Sequence, residues 1–458
     1  MKKNLLLGLI LVVQSVCAQI ISKDLSFASN GIYPIANNNS WSRMTQNLDG
    51  SIYFTYSKDN PTSGNYESFL SKLTTNGAVD SSFGNNGELK LPYATNDSQL
   101  KKQTDGKLVI FGFDDSNAAI SRILPNGQLD TAFGINGTTE INNVGSDMNV
   151  RGYGLLIQNN KIILYGEALD PNSPSYLHYK VIYRLNEDGS IDTTFGNNGF
   201  ITTADGKFIF LDNQSNVIVL GGTTIEKYNN NGQPLTSFGN NGIMSHTISY
   251  GYVGSAYMDS NNNIVYSNMD AEIGRIKSNG TLDNTFNFDP TSLPFTTWIL
   301  SIIEKDGNYY IGGMNEGSDV RYFISKLNQN GSIDPSFNYY SETNPDLGII
   351  GDMIVNDNNI IANGSNNIVK YLLNNVTLST AETVKNNQEI SFENPVKQNL
   401  VYQSKEKVNK IEIYSTDGKI VKTLKNNNAN VSELLKGIYF AKITFENGKT
   451  AVKKLMKN

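Results

Sequence analysis

The chain is poor in the residues that most often carry chemistry. Among 458 residues there is one cysteine, Cys17, only two histidines, His178 and His246, and only two tryptophans. A lone cysteine excludes an internal disulfide and a cysteine-built zinc centre. The histidines fall in unrelated contexts, "SPSYLHYK" and "NGIMSHTIS", with no nucleophile motif beside either. Charged residues make up 17% and proline contributes 12 positions, so neither charge-laced long helices nor proline-rich linkers dominate. Long apolar runs are missing too. The longest early run, Leu5–Val13, is too short to span a bilayer and follows Lys2 and Lys3. It ends in the small-residue site Val16-Cys17-Ala18 before Gln19. Residues 1–18 therefore read as a secretory signal peptide, cut between Ala18 and Gln19.

Turn-forming and aromatic residues are abundant: 40 Gly, 24 Tyr and 20 Phe, with Asn-Gly and Asp-Gly pairs throughout. This is the composition of an all-β chain rich in tight hairpins. One phrase recurs. "VDSSFGNNGE" (Val79–Glu88), "LDTAFGINGT" (Leu129–Thr138), "IDTTFGNNGF" (Ile191–Phe200) and "PLTSFGNNGI" (Pro234–Ile243) are close copies. "DLSFASNGI" (Asp24–Ile32), "LDNTFNFD" (Leu282–Asp289) and "IDPSFNYY" (Ile333–Tyr340) are looser ones. Their phenylalanines, Phe27, Phe83, Phe133, Phe195, Phe238, Phe286 and Phe337, are spaced by 56, 50, 62, 43, 48 and 51 residues. That period holds four short strands and their loops, one propeller blade.

Each unit carries two further markers. A polar turn opens a β-rich run, as in "TDGKLVIFG" (Thr104–Gly112), and a strand ends in a basic residue and Asn-Gly or Asp-Gly, as in "SRILPNG" (Ser121–Gly127). The last unit stops after its third strand, near Asn375, whereas the first phrase has no third strand before it. The expected fold is a seven-bladed β-propeller over residues 19–375, its ring closed when the segment Gly31–Ala36 completes the last blade. Within each phrase the Asp holds a turn, and the Phe plugs the gap between neighbouring blades as a structural joint. Its burial contributes about 2–3 kcal/mol.

Charge marks a second domain. From Ile390 onward there are 13 Lys against 6 acids, while the whole chain carries −6. The acidic body argues against nucleic acid as a partner. Residues 376–389 read as a polar linker, and 390–458 as a small antiparallel, immunoglobulin-like β-sandwich with a hairpin at Asp417-Gly418.

The repeats resemble the delta-60 repeat family of bacterial β-propellers over about Asp24–Asn375. That family implies a fold and no assigned chemistry. The tail resembles the type A C-terminal sorting domain of the type IX secretion system of Bacteroidetes. The matching positions include Asn394, Pro395, Gly418, Gly437, Tyr439, Lys453 and Lys454, within "IYSTDGKIV", "LLKGIYFAKI" and "KKLMK". The resemblance implies export across the outer membrane to the cell surface or medium, with the secretion machinery as partner. No cofactor, metal site or transmembrane segment is expected, and a monomer is. The expected function is a binding, adhesion or scaffold module with a carbohydrate or protein ligand. The alternative is an extracellular hydrolase or lyase acting on polysaccharide at the central mouth.

Overall fold

Short runs of Ile, Val, Tyr and Phe separated by two-residue turns pair most readily with their sequence neighbours. In a computed structural model of the chain they do so almost throughout. The structure describes residues 16–35, 42–60, 62, 66–93, 98–113, 118–141, 150–169, 178–204, 206–246, 253–268, 272–293, 297–315, 321–337, 340–342, 350–364, 366–378, 390–392, 394–415, 419–425 and 429–457. Ile20–Asn374 forms one compact unit, and the chain from Asn375 onward belongs to a second.

The described residues of the first unit form seven antiparallel sheets, taken here in chain order. The third is typical: Val150–Gln158, Lys161–Leu169, His178–Leu185 and Phe200–Thr203, each paired with the next. Within each sheet the first strand precedes the polar turn and the third carries the basic residue, and in all but the fifth the Phe phrase leads into a fourth strand. Among the described residues the fifth sheet keeps three strands, ending at Ile273–Ile276. After Phe286 the chain there makes a short 3-10 turn, Pro290–Ser292, whose Thr291 amide donates to the Asp289 side chain.

Packing arranges the sheets in a closed order. One apolar cluster joins the first sheet to the second, around Tyr53, Phe83 and Ile110. Others join the second to the third, the third to the fourth, the fourth to the fifth, the fifth to the sixth and the sixth to the seventh. A seventh cluster, with Phe27, Phe54 and Ile361, joins the seventh sheet back to the first. Each cluster contains one phrase phenylalanine. First strands approach first strands: Met44–Gln46 lies beside both Ser98–Lys102 and Asp352–Val355. The first strands therefore form the inner wall of the ring.

The closing sheet draws on both ends of the unit. Ile32–Pro34 pairs antiparallel with the last strand, Asn367–Leu378, through Ile32↔Val369, Tyr33↔Ile368 and Pro34↔Asn367. A second segment, Val16–Lys23, pairs with that same strand. The strand runs to Leu378, inside the stretch read as a linker. Residues 379–389 of that stretch, residues 1–15 of the expected signal peptide, Ala36 and Gly418 lie outside the described residues.

In the second unit Ile390–Phe392 pairs with Tyr402–Ser404. A four-stranded sheet follows, in the order Ile420–Lys425, Val408–Ser415, Gly437–Phe445, Thr450–Lys457. Ile390, Val396 and Leu400 share one core with Ile411, Ile413, Ile443 and Leu455, so both sheets bury the same apolar face.

Candidate functional site

The repeated phrase builds the same small constellation in gap after gap, seen in full between the third and fourth sheets. Asp192 opens the phrase. Its Oδ1 accepts the Thr194 hydroxyl (2.6 Å) and amide (3.2 Å), an Asx turn that the Asp-x-Thr spacing permits. Its Oδ2 accepts Arg184 Nε and Lys161 Nζ, both at 2.6 Å. Arg184 is the basic residue of the third strand, Lys161 the residue after the polar turn. Burial pushes the Asp192 carboxyl up, but the bonds from Lys161, Thr194 and Arg184 outweigh it and hold the group far below the usual carboxylate range.

Phe195 is fully buried, and the Arg184 guanidinium lies over its ring at 4.6 Å. Arg184 also reaches across the gap to the Asn230 carbonyl, and the Gly196 amide donates to the Asn231 carbonyl at 2.8 Å. Both acceptors sit in the third turn of the next sheet, just before Gly232. A Cβ on Gly232 would lie 2.9 Å from the Phe195 ring and from the Gly196 nitrogen, and φ there is +76°. The Asn-Gly ending of the third strand is thus the lid on the previous sheet's phenylalanine.

The same arrangement recurs with graded completeness. A third-strand cation pairs with an acid in every sheet: Lys370–Asp24, Lys72–Asp80, Arg122–Asp130, Arg184–Asp192, Lys227–Asp212, Arg275–Asp283 and Lys326–Asp334, at 2.6–3.4 Å. Phe27, Phe83, Phe133 and Phe195 are 0–1% exposed, whereas Phe238, Phe286 and Phe337 are 5–9% exposed. The three more exposed positions belong to phrases that lack the leading Asp or the Gly after Phe, but the Phe27 phrase also lacks that Gly, with Ala28 in its place, and its ring is 1% exposed, so the missing Gly alone does not loosen the joint.

These carboxylates are occupied. So is Asp259, in the calcium-loop-like "DSNNNI": its Oδ1 accepts the Asn261 and Asn263 amides, and its Oδ2 accepts Asn263 Nδ2 and Tyr309 Oη, at 2.8–3.0 Å. The stretch is a hairpin turn whose acceptors are used. His178 opens the third strand of the third sheet, and His246 follows the fourth strand of the fourth, so the fold places the two in different sheets. Burial pushes the His246 imidazole below its ordinary value, against backbone hydrogen bonds at Thr224 and Gly221.

In the tail, Asn394 Oδ1 accepts the Met456 amide (2.7 Å) and its Nδ2 donates to the Lys454 carbonyl (2.9 Å). The Val396 amide donates to the Met456 carbonyl at 2.7 Å. The Asn394-Pro395 start is therefore clamped to the closing "KKLMK" strand, which joins the two most separated pieces of the motif. Tyr439 donates to the Leu435 carbonyl at 2.9 Å, and Gly437 pairs with Lys457. Lys453 and Lys454 are exposed. Ala18 and Gln19 lie in the strand Val16–Lys23.

Reasoning from sequence missed a group of charges on the inner wall. Asp352 Oδ2 accepts the Met44 amide at 3.1 Å, across 308 positions of sequence, beside Arg43. Lys101 interacts electrostatically with both Asp352 and Arg43. Burial pushes the Lys101 ammonium down and the Asp352 carboxyl up. Lys101 nevertheless keeps access to solvent.

Comparison with known proteins adds two families. Residues 392–458 match the secretion system C-terminal sorting domain. Residues 103–133, 158–195 and 304–337 match the DUF5122 β-propeller, a domain of unknown function. The first marks the chain for export by the type IX secretion system to the cell surface or extracellular space. No curated protein matches the chain. Among solved structures it is similar to PorZ, an essential surface component of the type IX secretion system of Porphyromonas gingivalis, at 11% identity and TM-score 0.40. That similarity covers 94% of this chain and 61% of PorZ, so the chain spans about three fifths of its length. It is also similar to the β-propeller domain of the Trilobed protease from Pyrococcus furiosus, at 10% identity and TM-score 0.42, covering 75% of this chain and 97% of that one.

Proposed function

We propose that this chain, with its DUF5122-type β-propeller and type IX sorting tail, is a secreted or cell-surface binding module. Its body is a seven-bladed ring over residues 19–375, closed by Ile32–Pro34, and its tail, residues 390–458, is an immunoglobulin-like export domain. The seven apolar clusters, each with one phrase phenylalanine, support the blade count. One observation carries the binding reading. The acids that recur from sheet to sheet are consumed by cations and turns in the joints. The repeats therefore supply a scaffold, and recognition falls to what differs between sheets.

Export and binding are tested separately. In the native host, a chain ending at Leu378 should accumulate folded in the periplasm, with a melting midpoint near that of the full chain. Residues 390–458 fused to a periplasmic reporter should bring the reporter to the surface. Surface delivery without the tail would overturn this part. The purified protein on glycan and protein arrays should retain ligand without turnover. Release of shortened polysaccharide would favour the hydrolase or lyase reading instead.

A further inference from the structure

The fifth sheet differs from the others at its outer edge. In five sheets the amide of the third-strand cation donates outward to the glycine that precedes the fourth strand: Lys72 to Gly87, Arg122 to Gly137, Arg184 to Gly199, Lys227 to Gly242 and Lys370 to Gly31, at 2.8–3.3 Å. Each of those glycines stands four residues after the phrase phenylalanine. In the fifth sheet that place is Pro290, in the 3-10 turn, and among the described residues no acceptor meets the Arg275 amide. The chain there turns toward the sixth sheet instead, where Phe288 and Leu293 join the apolar cluster of that gap.

The backbone groups left over follow from the ladder. An antiparallel pairing turns alternate residues outward. In the third sheet Arg184 and Ile182 are outward, Ile182 being paired with Ile201. Arg275 and Ile273 are their counterparts. The Arg275 carbonyl accepts the Asp283 amide at 2.8 Å, as the Arg184 carbonyl accepts the Asp192 amide. The Arg275 amide and both the amide and the carbonyl of Ile273 thus face outward, and among the described residues no strand meets them.

Burial follows the same line. The residue before the third-strand cation is Ser71, Ser121, Tyr183, Glu226, Ser325 or Val369 in six sheets, and all six are buried. In the fifth it is Gly274, which is half-buried, and nearby Glu272 is exposed. A Cβ at Gly274 would meet the Tyr266 hydroxyl at 2.2 Å, so Tyr266 keeps the middle of this strand bare of a side chain. The ring itself shows what fits such an edge. The other six sheets hold an extended strand there, and in the seventh that strand, Ile32–Pro34, comes from the opposite end of the unit.

We propose that the open edge of the fifth sheet binds an extended segment of another protein, which adds as its fourth strand. This rests on the reading of the ring as a binding module and names the partner's chemistry: a short stretch of unpaired backbone, recognised by main-chain hydrogen bonds at Ile273 and Arg275. Proline is excluded at the residue opposite Ile273, whose amide must donate to the Ile273 carbonyl.

The probe is a synthetic peptide copying Asn197–Thr203, which carries the fourth strand of the third sheet, added to the full-length secreted protein. Hydrogen exchange is read residue by residue. Without peptide the Ile273 and Arg275 amides should exchange about tenfold faster than those of Ile182 and Arg184, and saturating peptide should slow them about tenfold. Calorimetry supplies the affinity. N-methylation of the peptide at the Ile201 position should weaken binding about tenfold, whereas N-methylation at the Thr202 position, whose amide points away from the edge, should leave it unchanged. Ile273 protection without peptide equal to that of Ile182 would overturn the open edge. If the protein is dimeric and dilution unmasks the Ile273 amide, a second copy occupies the edge and the proposal falls. Binding that survives N-methylation at Ile201, or that leaves the Ile273 amide fast, would overturn the site. If the peptide fails to bind while the arrays retain a ligand, this site falls and the binding module stands. If the peptide binds as expected and the arrays retain nothing, the surface-adhesion reading falls and the edge site stands.

Discussion

The joint between the third and fourth sheets and the joint between the fourth and fifth solve one problem with different residues. In the first, Asp192 of the phrase neutralises Arg184. In the second, Leu235 stands where that Asp would be, yet Lys227 is still buried and still lies over its phenylalanine, 5.7 Å from the Phe238 ring. Its partner is Asp212, from the first hairpin turn of the same sheet, at 2.8 Å. Asp212 does two jobs there: its Oδ1 holds the Gln214 and Asn216 amides, and its Oδ2 takes Lys227. The joint thus requires a buried acid beside the third-strand cation, from whichever turn can deliver it. A cation left alone at that depth would cost several kcal/mol.

The largest expected break is in the apolar part of the better-sealed joint. Phe195→Ala should destabilise the ring by about 3–5 kcal/mol, because the cavity lies between two rigid sheets. Phe238→Ala should cost less, since that ring is 7% exposed and its surroundings have more room to relax. Urea unfolding of both variants gives the order, and equal losses would show that joint completeness does not set the packing.

The relocated acid is the next test. Asp212→Asn should cost about 3 kcal/mol by leaving Lys227 unpaired. Adding Leu235→Asp to that variant should restore part of the loss, since the phrase geometry used by the other six sheets is then available to Lys227. No recovery in the double variant would mean that the fourth sheet's backbone cannot present the phrase acid.

How much of this was legible depended on whether a feature lay within one repeat. The Phe phrase, its turn and the third-strand cation all fall inside single units, and the run of markers pointed to strand order and ring closure. Asp212 was not legible as a joint residue, because an acid in "LDNQSN" already has a sufficient reading as a turn former. The second segment on the closing sheet, Val16–Lys23, was hidden by the leader-like residues it overlaps. The Arg43–Lys101–Asp352 sector depends on ring closure to bring Met44 and Asp352 together, and neither local periodicity nor a motif marks it.

A smaller contrast separates the lid from an ordinary turn. Gly232 and Gly307 share a left-handed backbone, φ +76° and +75°. A Cβ at Gly232 meets the Phe195 ring and the Gly196 nitrogen, whereas one at Gly307 meets nothing within 4 Å. Both Gly→Ala changes should cost about 1–2 kcal/mol for the backbone. Gly232→Ala should cost roughly a further 1–3 kcal/mol for overpacking. Equal costs would remove the lid role.

The smallest effect is confined to acid and tests whether the phrase acids act electrostatically. Burial pushes Asp283 up, but the Thr285 hydroxyl, Arg275 and the Thr285 amide outweigh it and hold its pKa at about 2. Hydrogen bonds from Lys72 and then Ser82 hold Asp80 at about 2, against an ordinary 3.8. A folded-state pKa below the unfolded one means that the unfolded chain binds more protons between those values, so stability rises with pH across the window. The contribution is fully present above about pH 4 and is lost as pH falls from 3.8 through about 2. At neutral pH it adds no slope. Melting midpoints taken from pH 6 down to pH 2 should hold to about pH 4 and then fall. Asp283→Asn should start lower at neutral pH and fall less steeply in acid, because one depressed carboxyl is gone. The position that lacks a phrase acid supplies the control: Leu235→Asn removes no carboxyl and should leave the acid limb as steep as in the parent. An Asp283→Asn profile parallel to the parent's would assign that residue's role to its turn hydrogen bonds and not to its charge.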